Sequence, residues 1–208
     1  MRYCTPELHN AHQPADTNED GYDQDEDWSR VEKASAEWDR QLELYEARLK
    51  EIDDKLPQSV KTFMKTCFLH DAQLPKDNWT FNLLPVPGRV QLVVRQQDWG
   101  ELKFLCVLRY KIAKPGHIQK LASEFTYGVE QKVHSGPGFY DPVTMPPEHR
   151  NSNYVPCWLY DEWDHLGTVD GEDIFLHSFY LSDGVEFNVL FTEFSFLYVP
   201  IGEGFVES

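Results

Sequence analysis

Two groups of residues have side-chain types and spacing that could support chemistry. His70 and Asp71 are adjacent, a pairing that ligates metal ions in phosphoester hydrolases when further His and Asp side chains converge on it. Asp161, Glu162, Asp164 and His165 form the second group, with Asp170, Glu172, Asp173 and His177 following. Hard cations need several carboxylate oxygens, and a strand-turn-strand could bring some of these together. A metal-dependent hydrolase using His70, Asp71 and the carboxylates near 161 to 164 is therefore one expectation. Each group also has a plainer reading. Asp71 can shape a turn while His70 bonds a backbone carbonyl. Trp163 occupies the third position of a loop begun at Asp161, which departs from the EF-hand pattern. Along a strand Asp161 and Trp163 share one face, Glu162 and Asp164 the other, so the carboxylates divide. A solvated hairpin tip accounts for them without a metal.

Other catalytic classes have less support. Cys67 and His70 lie three apart and could meet on a helical face, although Cys67 also falls on an apolar stripe, where a thiol packs as a small hydrophobe. Cys4, Cys67, Cys106 and Cys157 are widely separated and form no C-x-x-C pair. They read as free thiols, with neither a zinc ribbon nor a dithiol redox site. No G-x-S-x-G elbow occurs, and Gly136-Pro137-Gly138 lacks the lysine of a phosphate-binding loop. No catalytic residue and no cofactor is assigned.

The elements that must position these groups follow from hydrophobic periodicity. Val31, Trp38, Leu42, Tyr45, Leu49, Ile52 and Leu56 recur at spacings of 7, 4, 3, 4, 3 and 4, which predicts a long amphipathic helix from Trp28, docked on its own core. The carboxylates at 25 to 27 precede its first turn, where they oppose the macrodipole. Pro57 ends that helix or opens the next, and Val60, Phe63, Met64, Cys67 and Phe68 predict a short second helix to about Leu69. Strands are expected at Trp79 to Leu84, at Val90 to Arg95 with Leu102 to Ile112 as a hairpin, and at Cys157 to Trp163. Ile174 to Ser182 and Val185 to Phe191 should form a second hairpin turning on Asp183-Gly184, followed by Phe194 to Val199. His117 to Phe125 fits either a short helix or a strand, and Gly136 to Asn153 reads as a long loop. The expected fold is α+β: one long and one short N-terminal helix packed on an antiparallel sheet of about six strands.

Charge is unevenly distributed. The chain of 208 residues carries a net charge of -16. Residues 1 to 60 hold 7 basic and 16 acidic side chains, 61 to 150 hold 12 and 8, and 151 to 208 hold none and 11. Complementary packing of the middle against the end explains this pattern, and a negative surface kept for a basic partner is the alternative. So acidic a chain is unsuited to nucleic acid, whose binding depends on clustered Lys and Arg. There is no apolar run of 18 residues and no apolar stretch behind Met1-Arg2-Tyr3, so neither a membrane span nor a secretory signal is expected and a cytoplasmic location is. Residues 9 to 27 are acidic and poor in apolar groups, which predicts a mobile segment at 1 to 27 and a single domain at 28 to 208.

The opening Met1-Arg2-Tyr3-x-Thr5-Pro6-Glu7-Leu8, the central Leu69-His70-Asp71-Ala72, the Tyr160-Asp161-Glu162 element, His177-Ser178 and Leu181-Ser182-Asp183-Gly184-Val185-Glu186-Phe187 together resemble a group of bacterial proteins of unknown function. Cys4 stands where that group would have an aromatic residue, and the acidic segment at 9 to 27 is longer. The resemblance implies bacterial origin and a coherent fold, and carries no activity. With acidic ends and an aromatic-rich sheet, the leading expectation is a non-enzymatic protein that binds a basic partner, of the kind that neutralises a toxin as an immunity protein does.

Overall fold

Alternating apolar residues become a six-stranded antiparallel sheet in the computed structural model, which describes residues 2–12, 24–74, 88–98, 101–125, 127–134 and 155–201. In chain order the elements are α1 (Pro6–His12), α2 (Gln24–Ile52), α3 (Gln58–Thr66), β1 (Arg89–Asp98), β2 (Glu101–Ile112), α4 (Pro115–Leu121), β3 (Val129–Val133), β4 (Trp158–Val169), β5 (Glu172–Leu181) and β6 (Val185–Pro200). The sheet runs β1-β2-β6-β5-β4, with β3 also on β6. Fold class is therefore α+β, as the periodicity predicts.

β6 is the spine. Its first residues pair with β3 on one side, Val129 opposite Val189, and with β5 on the other, Phe179 opposite Phe187. Its second half pairs with β2, Cys106 opposite Tyr198. The expected strands at 185 to 191 and 194 to 199 are thus one continuous strand, kinked where the register slips between Lys111 and Ile112 of β2. A bulge keeps a long strand in one ladder while turning its direction.

The two end strands meet through the short segment around Gln73. Gln73 bridges Arg95 of β1 and Cys157 just before β4. The Gln73 N–H donates to the Arg95 carbonyl at 2.6 Å, the Arg95 N–H to the Gln73 carbonyl at 2.9 Å, and the Trp158 N–H to the Ala72 carbonyl at 2.7 Å. The sheet curls around its main core, in which Leu92, Cys106, Leu108, Phe179, Phe187 and Phe191 are buried. α3 covers the concave side through Val60 and Phe63, and a smaller outer core places Ile118 of α4 against Ile174 and Leu190.

Several local expectations change. α1 takes up part of the acidic segment expected to be mobile, and α2 begins at Gln24, so residues 25 to 27 lie within the helix and not ahead of it; residues 13–23 of that segment lie outside the described residues. α3 stops at Thr66, before Leu69. His117 to Phe125 resolves as helix α4 with Pro115 at its start, the position where proline's missing N–H costs nothing. β3 was not foreseen. The strand expected at 79 to 84 and the loop at 136 to 153 lie outside the described residues.

β4 is the most consequential change, because it runs six residues past Trp163 to Val169. Its hairpin turn is Asp170-Gly171, with φ of 53° and 81°, a two-residue turn of the kind that needs left-handed backbone at both positions. Asp161 to His165 therefore lie along a sheet wall and not at a hairpin tip. At Asp183-Gly184 the loop has three residues, Gly184 alone is left-handed at φ 83°, and its N–H returns to the Leu181 carbonyl at 3.1 Å.

Candidate functional site

The register of β4 on β5 sorts the acidic cluster by face. Asp161 lies opposite Phe179 and Trp163 opposite His177, whereas Glu162 lies opposite Ser178 and Asp164 opposite Leu176. Cross-strand partners share a face, so Asp161 and Trp163 look into the main core and Glu162 and Asp164 look out. The division read from strand alternation holds.

On the inner face, His177 is wholly buried, its side chain 0% exposed. Its Nε2 lies 3.1 Å from Asp161 Oδ2, and its Nδ1 lies 2.7 Å from the Tyr110 hydroxyl. Asp161 also accepts the indole N–H of Trp158 at 3.1 Å on Oδ1 and that of Trp163 at 2.7 Å on Oδ2. Trp163 stacks on the imidazole with ring centroids 3.6 Å apart and an 11° tilt. A carboxylate only accepts, so Nε2 carries the imidazole proton and Nδ1 takes the Tyr110 O–H. Burial lowers the His177 pKa, although Asp161 opposes the shift, and burial holds the Tyr110 phenol well above its ordinary value. The neutral imidazole and the intact phenol are the forms this hydrogen-bond chain requires. Neither is reachable by a substrate.

The outer face carries a second set. Glu162 is buried and accepts three backbone N–H groups, from Arg2 at 2.8 Å, Tyr3 at 3.2 Å and Cys4 at 2.7 Å. Burial still lifts its carboxyl above the ordinary glutamate value, against the pull of those donors. Asp164 is clamped by Arg2 Nη1 at 3.0 Å and Arg48 Nε at 2.9 Å. His165, opposite Phe175, belongs to the inner register, and its Nε2 reaches Asp173 Oδ1 at 3.1 Å. Further along the outer face His134 lies between Glu7 at 2.9 Å and Glu186 at 2.8 Å.

His70 and Asp71 sit in the turn between α3 and the Gln73 bridge. His70 Nδ1 is 3.1 Å from Asp71 Oδ2 and both side chains are exposed. Asp71 has φ 65°, a left-handed conformation that Asp tolerates better than most residues, and its N–H donates to the Trp158 carbonyl at 2.8 Å. Asp71 thus shapes the turn, while the contact of His70 is with the Asp71 carboxylate. Among the described residues, no three His, Cys, Asp or Glu side chains are grouped to hold a metal ion.

All four cysteines are free thiols. Burial raises the pKa of each, up to about 12 for Cys4 and Cys106, the opposite of what activates a nucleophilic cysteine.

What does open to solvent is a cavity of about 620 Å³ along the free edge of β4. Beyond Trp158 this edge has no strand beside it among the described residues; the Trp163 N–H donates instead to the Tyr45 hydroxyl of α2 at 2.6 Å. Trp38 and Tyr45 of α2, Phe63 of α3, and Trp158, Tyr160 and Trp163 of β4 form its walls, with His70 and Asp161 also lining it. Trp38 meets Tyr160 edge-on at 5.2 Å, and Phe63 meets Trp163 at 5.6 Å. The middle of the apolar stripe on α2 thus faces a space it does not fill.

Tyr110 and Trp158 were not among the expected site residues, and His177 was named only as following the cluster at 161 to 165. His177 alternates with Phe175 and Phe179 on β5, and a polar residue in a buried apolar register was the available signal. No helix among the described residues is long and apolar enough to cross a membrane. No protein-family model matches the chain, and a search of curated proteins found no significant match.

Proposed function

We propose that this is a non-catalytic binding protein that recognises a basic protein partner through the exposed face of α2. The observation that carries the reading is where its acidic groups go. Of the buried ones, Glu162 and Asp164 are held by the N-terminal residues and by Arg48, and Glu186 by His134 and Asn188. Three carboxylates of the β4–β5 hairpin and β6 are matched by the middle of the chain: Lys111 meets Glu193 at 2.6 Å, Lys114 meets Glu172 at 2.9 Å and Lys120 meets Asp170 at 3.3 Å. Complementary packing thus accounts for those carboxylates. On α2, by contrast, Glu32, Asp39, Glu43 and Glu46 follow at spacings of 7, 4 and 3 and are all exposed, which aligns them on one helical stripe. A surface of that kind, on a chain of net charge -16, accelerates encounter with a positively charged partner and loses that advantage in salt. An immunity-type role, in a bacterial host, is one concrete form of this reading.

The test uses the immobilised full-length chain in lysate of its own host at about 50 mM and 500 mM salt, a range over which screening shortens severalfold. A basic protein retained at low salt, released at high salt and absent from a variant with Glu32, Asp39, Glu43 and Glu46 changed to Gln or Asn is the expected result. Retention that ignores either the salt or the variant counts against the proposal.

The second reading, a metal-dependent hydrolase, has one observation in its favour: His70 and Asp161 line the same cavity. Thermal melts with added Zn²⁺, Mn²⁺, Mg²⁺ or Ca²⁺ decide it, since a metal that binds the folded state raises the midpoint. If His70→Ala abolishes such a rise, the hydrolase reading gains; if no ion moves the midpoint, it is removed.

A further inference from the structure

The cavity beside β4 is not explained by a protein partner on the acidic stripe of α2. Its volume of about 620 Å³ falls in the range of roughly 300 to 1,000 Å³ typical of small-molecule sites. Its lining contains one carboxylate, Asp161, two imidazoles, His9 and His70, and neither Lys nor Arg. Leu42, Met64 and Phe68 line it too and are exposed, Phe68 by 77%, apolar surface of the sort that marks a binding groove.

Two features point to the charge of the occupant. The faces of aromatic rings carry negative potential and attract cations, most strongly for Trp and least for Phe; Trp38, Tyr45 and Tyr160 line the cavity half-buried, with Trp158 and Trp163 buried behind them. Asp161 is held in place by Trp158, Trp163 and His177, and a carboxylate has about four acceptor positions, so about one remains for a donor from the cavity. Its side chain is 25% exposed, enough for contact and little enough that water screens an approaching charge poorly. The nearby imidazole of His177 is neutral in the tautomer derived above and does not cancel the carboxylate.

We propose that this cavity binds a small organic cation, an ammonium group carried on an aromatic or apolar body, with Asp161 as counter-ion and the rings of Trp38, Tyr45 and Tyr160 as walls. The charged group sits against Asp161, and the body extends toward Leu42 and Phe68. The site is independent of the basic-partner reading, and either can fail alone.

Titration of the full-length protein at pH 7 with 2-phenylethylamine and with its neutral counterpart 2-phenylethanol, followed by calorimetry and by tryptophan fluorescence, tests this. The amine is expected to bind saturably and at least tenfold more tightly than the alcohol. Asp161→Asn should lower amine affinity at least tenfold with little effect on the alcohol. Because Asp161 also supports the core, Trp38→Ala serves as the second variant: it lies on α2, outside the sheet, and should weaken the amine severalfold while the melt stays cooperative. The α2 stripe variant should bind the amine as the parent does. Equal affinity for amine and alcohol, no saturable binding of either, or amine binding unchanged in both cavity variants overturns the proposal. Displacement of the amine by an oligolysine peptide at equal or lower concentration overturns it as well, by making the occupant a protein side chain.

Discussion

His177 occupies a position that strand alternation reserves for an apolar side chain, and it survives there because both ring nitrogens have partners. An unpaired polar atom at that depth would cost about 1 to 3 kcal/mol, and Tyr110 and Asp161 remove that cost. The arrangement has a pH signature. The folded protein holds the imidazole neutral below the ordinary value of 6.5, so between 6.5 and the lower folded value the unfolded chain binds more protons, and stability falls as the solution is acidified through that window. The urea midpoint of the parent is expected to fall more between pH 7.5 and pH 5.5 than that of His177→Gln, which keeps a donor and an acceptor but does not titrate. Equal slopes would show that His177 is not the source. Glu162 works in the opposite sense at lower pH. Its carboxyl is raised above 4.5, so the folded state binds the proton first and stability gains as the pH drops toward that unfolded value.

Elements were legible where a local period declares them and illegible where a neighbour decides them. The stripe on α2 and the alternation along β2 and β5 are repeats set by backbone geometry, and they appear where periodicity puts them. β3 has five residues, Val129-Glu130-Gln131-Lys132-Val133, of which the last three are exposed. So short and polar a stretch shows no period, and pairing with β6 makes it a strand. The glycine ahead of it shows how tightly that pairing is packed. A Cβ on Gly128 would lie 1.9 Å from Ile112 Cγ2, on a branched side chain that cannot swing clear, while the Gly128 carbonyl accepts the Leu190 N–H at 2.8 Å. Gly128→Ala is expected to destabilise by about 1 to 3 kcal/mol, the usual range for overpacking, in urea unfolding. Adding Ile112→Ala should recover part of that loss; a neutral Gly128→Ala would show that the β3 junction gives way freely.

The whole molecule depends on a closure centred on Gln73, whose neighbours Asp71, Ala72 and Leu74 make the backbone bonds to the β4 side. With Gln73 in place, β1 and β4 have their ends joined and the aromatic core is enclosed. Gln73→Pro removes the N–H donated to the Arg95 carbonyl and is expected to cost about 1 to 3 kcal/mol for the unpaired group. Hydrogen exchange should then quicken at the Arg95 and Trp158 amides before it changes along β6. Uniform exchange across the sheet would mean that the seam is not a separate weak point. At this scale the division between sequence and structure is clearest. Local pattern was enough to establish α+β, the long helix, the antiparallel hairpins and the split of Asp161 from Glu162, because each follows from a repeat of 3.6 or 2 residues within one segment. Only the folded chain could bring the Arg2 N–H to Glu162 across 160 residues, Tyr110 to His177 across 67, and α2 to the open edge of β4. Those contacts join segments remote in sequence, where no local repeat records the partner, and they turned an apparent row of turn carboxylates into a buried network beside an aromatic cavity.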